Sequence, residues 1–147
     1  MKRPALGARL ASLLGRFAST GVRAGDHHRT GDLGERLAAR FLKSAGYRVL
    51  ARNARTSAGE ADLVALAPDR RTIVLIEVKT RTGNAGDAPP PEASIGPDKR
   101  RRLLAIARAL RAANGWQDRP FRIDAVAVSI PARGEPAIRH FENAVRA

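Results

Sequence analysis

Two short runs flanking a tight turn constrain this chain more than anything else in it. From Thr72 to Lys79 the side chains alternate, with Ile73, Leu75, Glu77 and Lys79 on one face and Val74, Ile76 and Val78 on the other. Gly59 to Leu66 repeats the pattern in reverse, with Glu60, Asp62, Val64 and Leu66 opposed to Ala61, Leu63 and Ala65. Between them lies Ala67-Pro68-Asp69-Arg70-Arg71, in which Pro68 presets φ for the second position of a turn. A turn centred between Asp69 and Arg70 pairs Leu66 with Ile73, Val64 with Leu75, Asp62 with Glu77 and Glu60 with Lys79.

One face of this ribbon therefore passes from apolar to charged. Directly opposed side chains on antiparallel strands have Cβ atoms roughly 4.5–5.5 Å apart, so Asp62 and Glu77 would repel without a cation between them. Their oxygens suit a hard divalent ion, Mg²⁺ or Mn²⁺, which keeps waters for chemistry. Lys79, about 7 Å along the strand from Glu77, would reach a phosphate or an attacking water. The bland alternative makes the acids solvated strand ends and Lys79 an edge charge or a partner of Glu60. The opposed register and the apolar-to-charged gradient together favour the functional reading.

At these residues the chain resembles a known group. Asp62 followed by Glu77-Val78-Lys79 is similar to the bipartite signature of the PD-(D/E)-x-K nucleases, the restriction-endonuclease-like superfamily that includes archaeal Holliday-junction resolvases. Gly34-Glu35, Gly46-Tyr47, Arg52-Asn53, Gly59-Glu60-Ala61-Asp62-Leu63 and Glu77-Val78-Lys79-Thr80-Arg81 more closely resemble the YraN-like family of small bacterial proteins, predicted nucleases. Ala61 departs from both patterns, standing in place of the superfamily's proline and of the branched residue usual in the close family. The resemblance implies an α/β, restriction-endonuclease-like αβββαβ core with a mixed sheet flanked by helices. It also implies a metal held by Asp62, Glu77 and the Val78 carbonyl, with Glu35 assisting a second ion or water. Many relatives of that fold cut as dimers, so a homodimer is an open expectation, although no coiled-coil pattern or apolar face marks an interface.

The 147 residues suit one domain, and 27 Lys plus Arg against 14 Asp plus Glu leave a net charge of +13, which favours a polyanionic partner, nucleic acid first and DNA above RNA. With no cysteine there is no disulfide frame and no thiolate zinc site, consistent with the cytoplasm, and no apolar run approaches a membrane span. Residues 1–29 read as a flexible basic arm whose competing roles are a disordered extension, a phosphate-binding tail or a membrane-surface helix; His27-His28 within it is given no role. The domain, residues 30–147, begins near Gly31.

Leu33, Leu37, Ala38, Phe41, Leu42 and Ala45 recur at helical spacing, giving a helix over Asp32–Ala45 that stops at Gly46. Asp32 followed by Glu35 matches a capping box, so Glu35 has a helix-capping role to set against the site role. Tyr47–Ala51 reads as a strand and Arg52–Ser57 as a polar link whose Arg52 and Arg55 could meet phosphates. Thr80–Gly96, rich in Gly and Pro, reads as a mobile flap. Pro97 opens a helix to about Ala113 with Leu103, Ile106, Ala107 and Leu110 inward and Asn114-Gly115 closing it. Its Lys99, Arg100, Arg101 and Arg102 oppose the macrodipole, which points to a phosphate ligand there, with Arg81 as a further contact. Phe121–Ile130 then pairs in parallel with Thr72–Lys79 by a right-handed crossover, Asp124 serves structure by taking an arginine, and Ala137–Phe141 adds an edge strand.

Three functions compete on this reading. The first is a Mg²⁺-dependent endonuclease acting on DNA, branched or flapped before short duplex sequences. The second is a non-catalytic module binding DNA or structured RNA on the same fold. A basic membrane-surface or assembly protein comes third.

Overall fold

The structure, a computed structural model, describes residues 25–83, 93 and 95–146. In chain order it comprises α1 (Gly25–Ser44), β1 (Arg48–Thr56), β2 (Gly59–Leu66), β3 (Ile73–Thr82), α2 (Pro97–Asn114), β4 (Phe121–Ile130) and β5 (Ala137–Val145). The strands form one sheet in the order β1-β2-β3-β4-β5. Neighbours run antiparallel except β3 and β4, which pair in parallel from Ile73↔Phe121 to Thr82↔Ile130. The crossover through α2 is what makes parallel pairing reachable. The αβββαβ mixed sheet flanked by helices is thus present, and β5 extends it beyond Phe141 to Val145.

Each face of the sheet carries its own core. Ala38 and Leu42 of α1 pack with Leu63, Ala65, Val74, Ile76, Val126 and Val128. Leu103, Ile106 and Leu110 of α2 pack on Val64, Leu66, Ile73, Leu75 and Ile123. Burial of each such Leu or Ile contributes roughly 1.5–3 kcal/mol, which holds a strongly basic helix against the sheet. Because helices cover both faces, every residue from Ile73 to Glu77 is buried, not merely alternate ones.

The expected turn and the apolar half of the expected register are realised, with Leu66↔Ile73 and Val64↔Leu75. Asp69 locks the turn, its Oδ1 accepting the N–H groups of Arg71 and Thr72 at 2.8 Å. The Thr72 hydroxyl and these two N–H groups hold the Asp69 carboxyl down at about 2.

Several boundaries differ from the sequence expectation. Helix α1 begins at Gly25, ahead of Asp32, so Asp32 and Glu35 lie in continuous helix and form no capping box. Residues 25–29, read as part of the basic arm, are helical; the rest of the arm lies outside the described residues, as do the side chains of His27 and His28. The segment Arg52–Thr56 is strand and not a polar link, because the buried Ala51 and Ala54 keep it on the sheet opposite Val64 and Ala61. Strand β3 likewise continues through Thr80 to Thr82, where branched side chains pair with Val128 and Ile130 in place of the expected flap; residues 84–92 and 94 of that segment lie outside the described residues.

One glycine sets where α1 sits. A Cβ on Gly34 would stand 1.8 Å from Thr80 Oγ1, so only glycine lets the helix close onto the C-terminal half of β3. That approach carries the next residue, Glu35, over the ends of β2 and β3.

Candidate active site

The β2–β3 ladder pairs Leu63 with Ile76 and goes no further. Beyond that pair Asp62 turns its carboxylate into the gap, and Oδ2 accepts the Val78 N–H at 2.7 Å. The expected face-to-face pairing of Asp62 with Glu77 is therefore replaced by a side chain standing in for the missing ladder bond. The local cause is a break in alternation. Ala61 belongs to the α2 side with Val64, while Leu63 belongs to the α1 side, and the break falls opposite Asn53, whose φ is 49°. The Glu60–Lys79 pairing is not formed either. Glu60 Oε2 meets Arg55 Nε at 3.1 Å, and Lys79 Nζ lies 3.7 Å from Glu77 Oε1.

Glu35, Asp62, Glu77, Val78, Lys79 and Arg81 nevertheless line one cleft of about 700 Å³ at the C-terminal end of β3. Burial, and after it the charge of Glu77, pushes the Asp62 carboxyl up to about 7, against the pull of the Val78 N–H. Burial also raises Glu35, opposed mainly by a hydrogen bond from Asn53, and Glu35 Oε2 is buried without a hydrogen-bond partner. Glu77 is 6% exposed. Its Oε1 is met at 2.6 Å by Nζ of Lys99.

The Asp62 shift has a direction that can be checked. An unfolded aspartate titrates near 3.8 and the folded one near 7, so between those values the folded chain holds more protons than the unfolded chain. Stability should therefore fall as pH rises through that window and level off above it, by an amount on the order of a few kcal/mol. Urea unfolding of the metal-free protein from pH 4 to pH 8 should show the fall, and Asp62→Asn should flatten it. An unchanged slope in that variant would assign the dependence elsewhere.

The remaining basic candidates take varied positions. Arg52 is exposed and its charge pulls the Glu35 carboxyl downward; Arg81 is exposed at the cleft. Arg55 is paired with Glu60. On α2, Arg100 Nη2 donates to the Arg146 carbonyl, Arg101 meets Asp98, and Arg102 stands against Gly59. Lys99, grouped from sequence with the phosphate-binding run, instead joins the acids. The sequence carried a signal for this, because Lys99 continues the buried stripe of Leu103, Ile106 and Leu110 by one helical turn. Asn53, the partner of Glu35, was marked only as part of the family resemblance, since its strand looked like a loop.

A family model described as "Uncharacterised protein family UPF0102" matches residues 34–128, from the glycine against Thr80 to near the end of β4. The chain belongs to this family. It is 38% identical over 119 residues to a UPF0102 protein of Pelobacter propionicus, covering 81% of this chain and 84% of that one. A UPF0102 protein of Roseiflexus castenholzii is 45% identical over 123 residues, covering 82% and 96%. Among solved structures, Archaeoglobus fulgidus Hjc, a Holliday junction resolvase, is similar over 76% of each chain with a TM-score of 0.43 and 23% identity. The span matched to UPF0102 contains Glu35, Asp62, Glu77, Lys79 and Lys99 and ends before β5. No helix among the described residues is long and apolar enough to cross a membrane.

Proposed function

We propose that this UPF0102 protein is a metal-dependent endonuclease that hydrolyses phosphodiester bonds in DNA, with branched or flapped DNA preferred to a short duplex sequence. The observation that carries the reading is the meeting of three carboxylates and a lysine in one cleft, with one of those acids pushed up to about 7. A strongly perturbed acid beside a like charge in a cleft of a basic protein is costly to fold and suits a site built for a cation and an anionic substrate.

The donors fit a hard divalent ion, Mg²⁺ or Mn²⁺. Asp62 and Glu77 offer carboxylate oxygens. Residues of a strand aim N–H and C=O to the same side, so the Val78 carbonyl faces the Asp62 side that its N–H already faces. Glu35 adds a buried oxygen that lacks a partner. Among the described residues no three His, Cys, Asp or Glu side chains already stand at metal-binding spacing, and Lys99 Nζ is seated against Glu77 where a cation would be drawn. When bound, the ion would polarise the phosphate and lower the pKa of a bound water. Lys79 would hold the phosphate or steady the negative charge on the oxygens of the attacked phosphoryl group. Glu35 would orient the water, and Arg81 with the basic helix would grip the flanking phosphates.

The Lys99–Glu77 contact of 2.6 Å favours one second reading, a nucleic-acid-binding module without turnover, because it neutralises Glu77 without any metal. Incubating the purified protein with end-labelled junction and flap DNA, with Mg²⁺ or Mn²⁺ and with chelator, separates the two. Metal-dependent cleavage that disappears in Asp62→Ala is the expected result. Binding with no cleavage under any of these conditions selects the module, and cleavage unaffected by Asp62→Ala overturns the site.

A further inference from the structure

A second cavity, of about 290 Å³, lies on the α2 side of the sheet around Phe121. Its wall is one stripe of α2, where Ala107, Arg108 and Arg111 share a helical face. Its floor is Phe121 and Ile123 of β4, and Arg146 stands at its border. Asn143 also reaches it, because a bulge in β5 opposite Asp124 turns the chain there, held by the Asn143 N–H donating to Asp124 Oδ1 at 3.0 Å. No carboxylate side chain among the described residues lines this cavity. The Arg111 guanidinium lies 5.7 Å from the Phe121 ring centre, donates through Nη2 to the Gln117 carbonyl, and keeps Nε buried without an acceptor. Arginines, a half-buried aromatic face and an absence of acid are the elements that hold a phosphate and stack a base.

We infer that this arginine-lined cavity beside Phe121 is a second anchoring point for a nucleic-acid strand, taking a backbone phosphate and its base at a fixed distance from the acidic cleft. Phe121 pairs with Ile73, so at about 3.3 Å per residue the cavity lies roughly 20 Å along the strands from Lys79. A strand kept stacked at the B-form spacing of about 3.4 Å per nucleotide covers that span in about six nucleotides. Helix α2 runs between the two points, from Lys99 at the acids to Arg108 and Arg111 at the cavity. The cavity therefore sets a minimum length for tight binding. The inference rests on the nucleic-acid reading above but not on turnover.

The test is equilibrium anisotropy of fluorescein-labelled single strands of 4 and 20 nucleotides, in chelator so that no cleavage intervenes. Arg108→Glu and Arg146→Glu, both exposed positions, should each weaken the 20-mer by about tenfold and together lower the salt slope by about one phosphate contact, while leaving the 4-mer unchanged. Phe121→Leu, which keeps an apolar floor, should cost the 20-mer several-fold through lost stacking. Inorganic phosphate and a mononucleotide serve as competitors. If either displaces the 20-mer at low concentration, the cavity takes a small phosphate compound and the strand proposal fails. Unchanged 20-mer affinity and slope in the double variant, or an equal loss for both strands, also overturns it. Loss of the 20-mer alone, in a protein that cleaves nothing, leaves this site standing and removes the nuclease.

Discussion

Lys79→Ala is expected to slow phosphodiester cleavage by the proposed nuclease by about 10²–10⁴-fold while leaving DNA affinity within a few-fold of the parent. The lysine side chain is 39% exposed and its Nζ lies 3.7 Å from Glu77 Oε1, so it is directed at the acids without being part of the packed core. Losing it removes a cation from the place where the phosphoryl oxygens carry the negative charge of the transition state and removes little burial. Single-turnover cleavage of a labelled junction, read beside the thermal midpoint, tests both halves. A rate within threefold of the parent takes Lys79 out of the chemistry. Lys99→Ala is the informative control, because Lys99 holds Glu77 more closely, at 2.6 Å. If its role is to hold the glutamate until a metal arrives, that variant should bind Mn²⁺ more tightly and still cut.

The largest loss of stability is expected at Asp124→Ala, on the order of 3–5 kcal/mol. Asp124 is fully buried, accepts from Arg122 Nε at 2.9 Å and from the Asn143 N–H at 3.0 Å, and meets His140 Nε2 at 2.8 Å. Arg122 also donates to the Tyr47 hydroxyl at 2.6 Å and lies 3.3 Å from Glu142, so β4, β5 and the residue that leads into β1 share one polar network. Alanine would leave a largely buried guanidinium short of its main counter-charge and strip the acceptor from the β5 bulge. Urea unfolding should show a large drop in midpoint with little change in slope. A loss below about 1 kcal/mol would mean that Arg122 and His140 find other partners, and that the network is not what ties β5 to the sheet.

Asp124 was legible as structural from sequence alone, since an acid inside an apolar strand needs a cation, and Arg122 shares its face. Glu35 was legible as a site candidate but not in its setting. The capping-box pattern at Asp32 is a local signal, and it failed because α1 begins at Gly25 and Asp32 already stands inside it. Arg52–Thr56 looked like a loop because its side chains are polar apart from Ala54, and only Ala51 and Ala54 report burial on this edge strand.

What the amino-acid order determined by itself was the apolar half of the hairpin register, the two helical stripes and the parallel return of β4. Each follows from periods built into the backbone and from a turn whose proline and aspartate act on their immediate neighbours. What only the tertiary structure decided was how the acids meet. Asp62 bonds to the Val78 N–H where β2 and β3 part, Glu35 leans in from α1, and Lys99 arrives from α2 to hold Glu77. Periodicity reports which face a side chain leaves from. Where two strands separate, and which distant cation reaches the gap, depends on helices packed from both sides, and no local pattern records that balance.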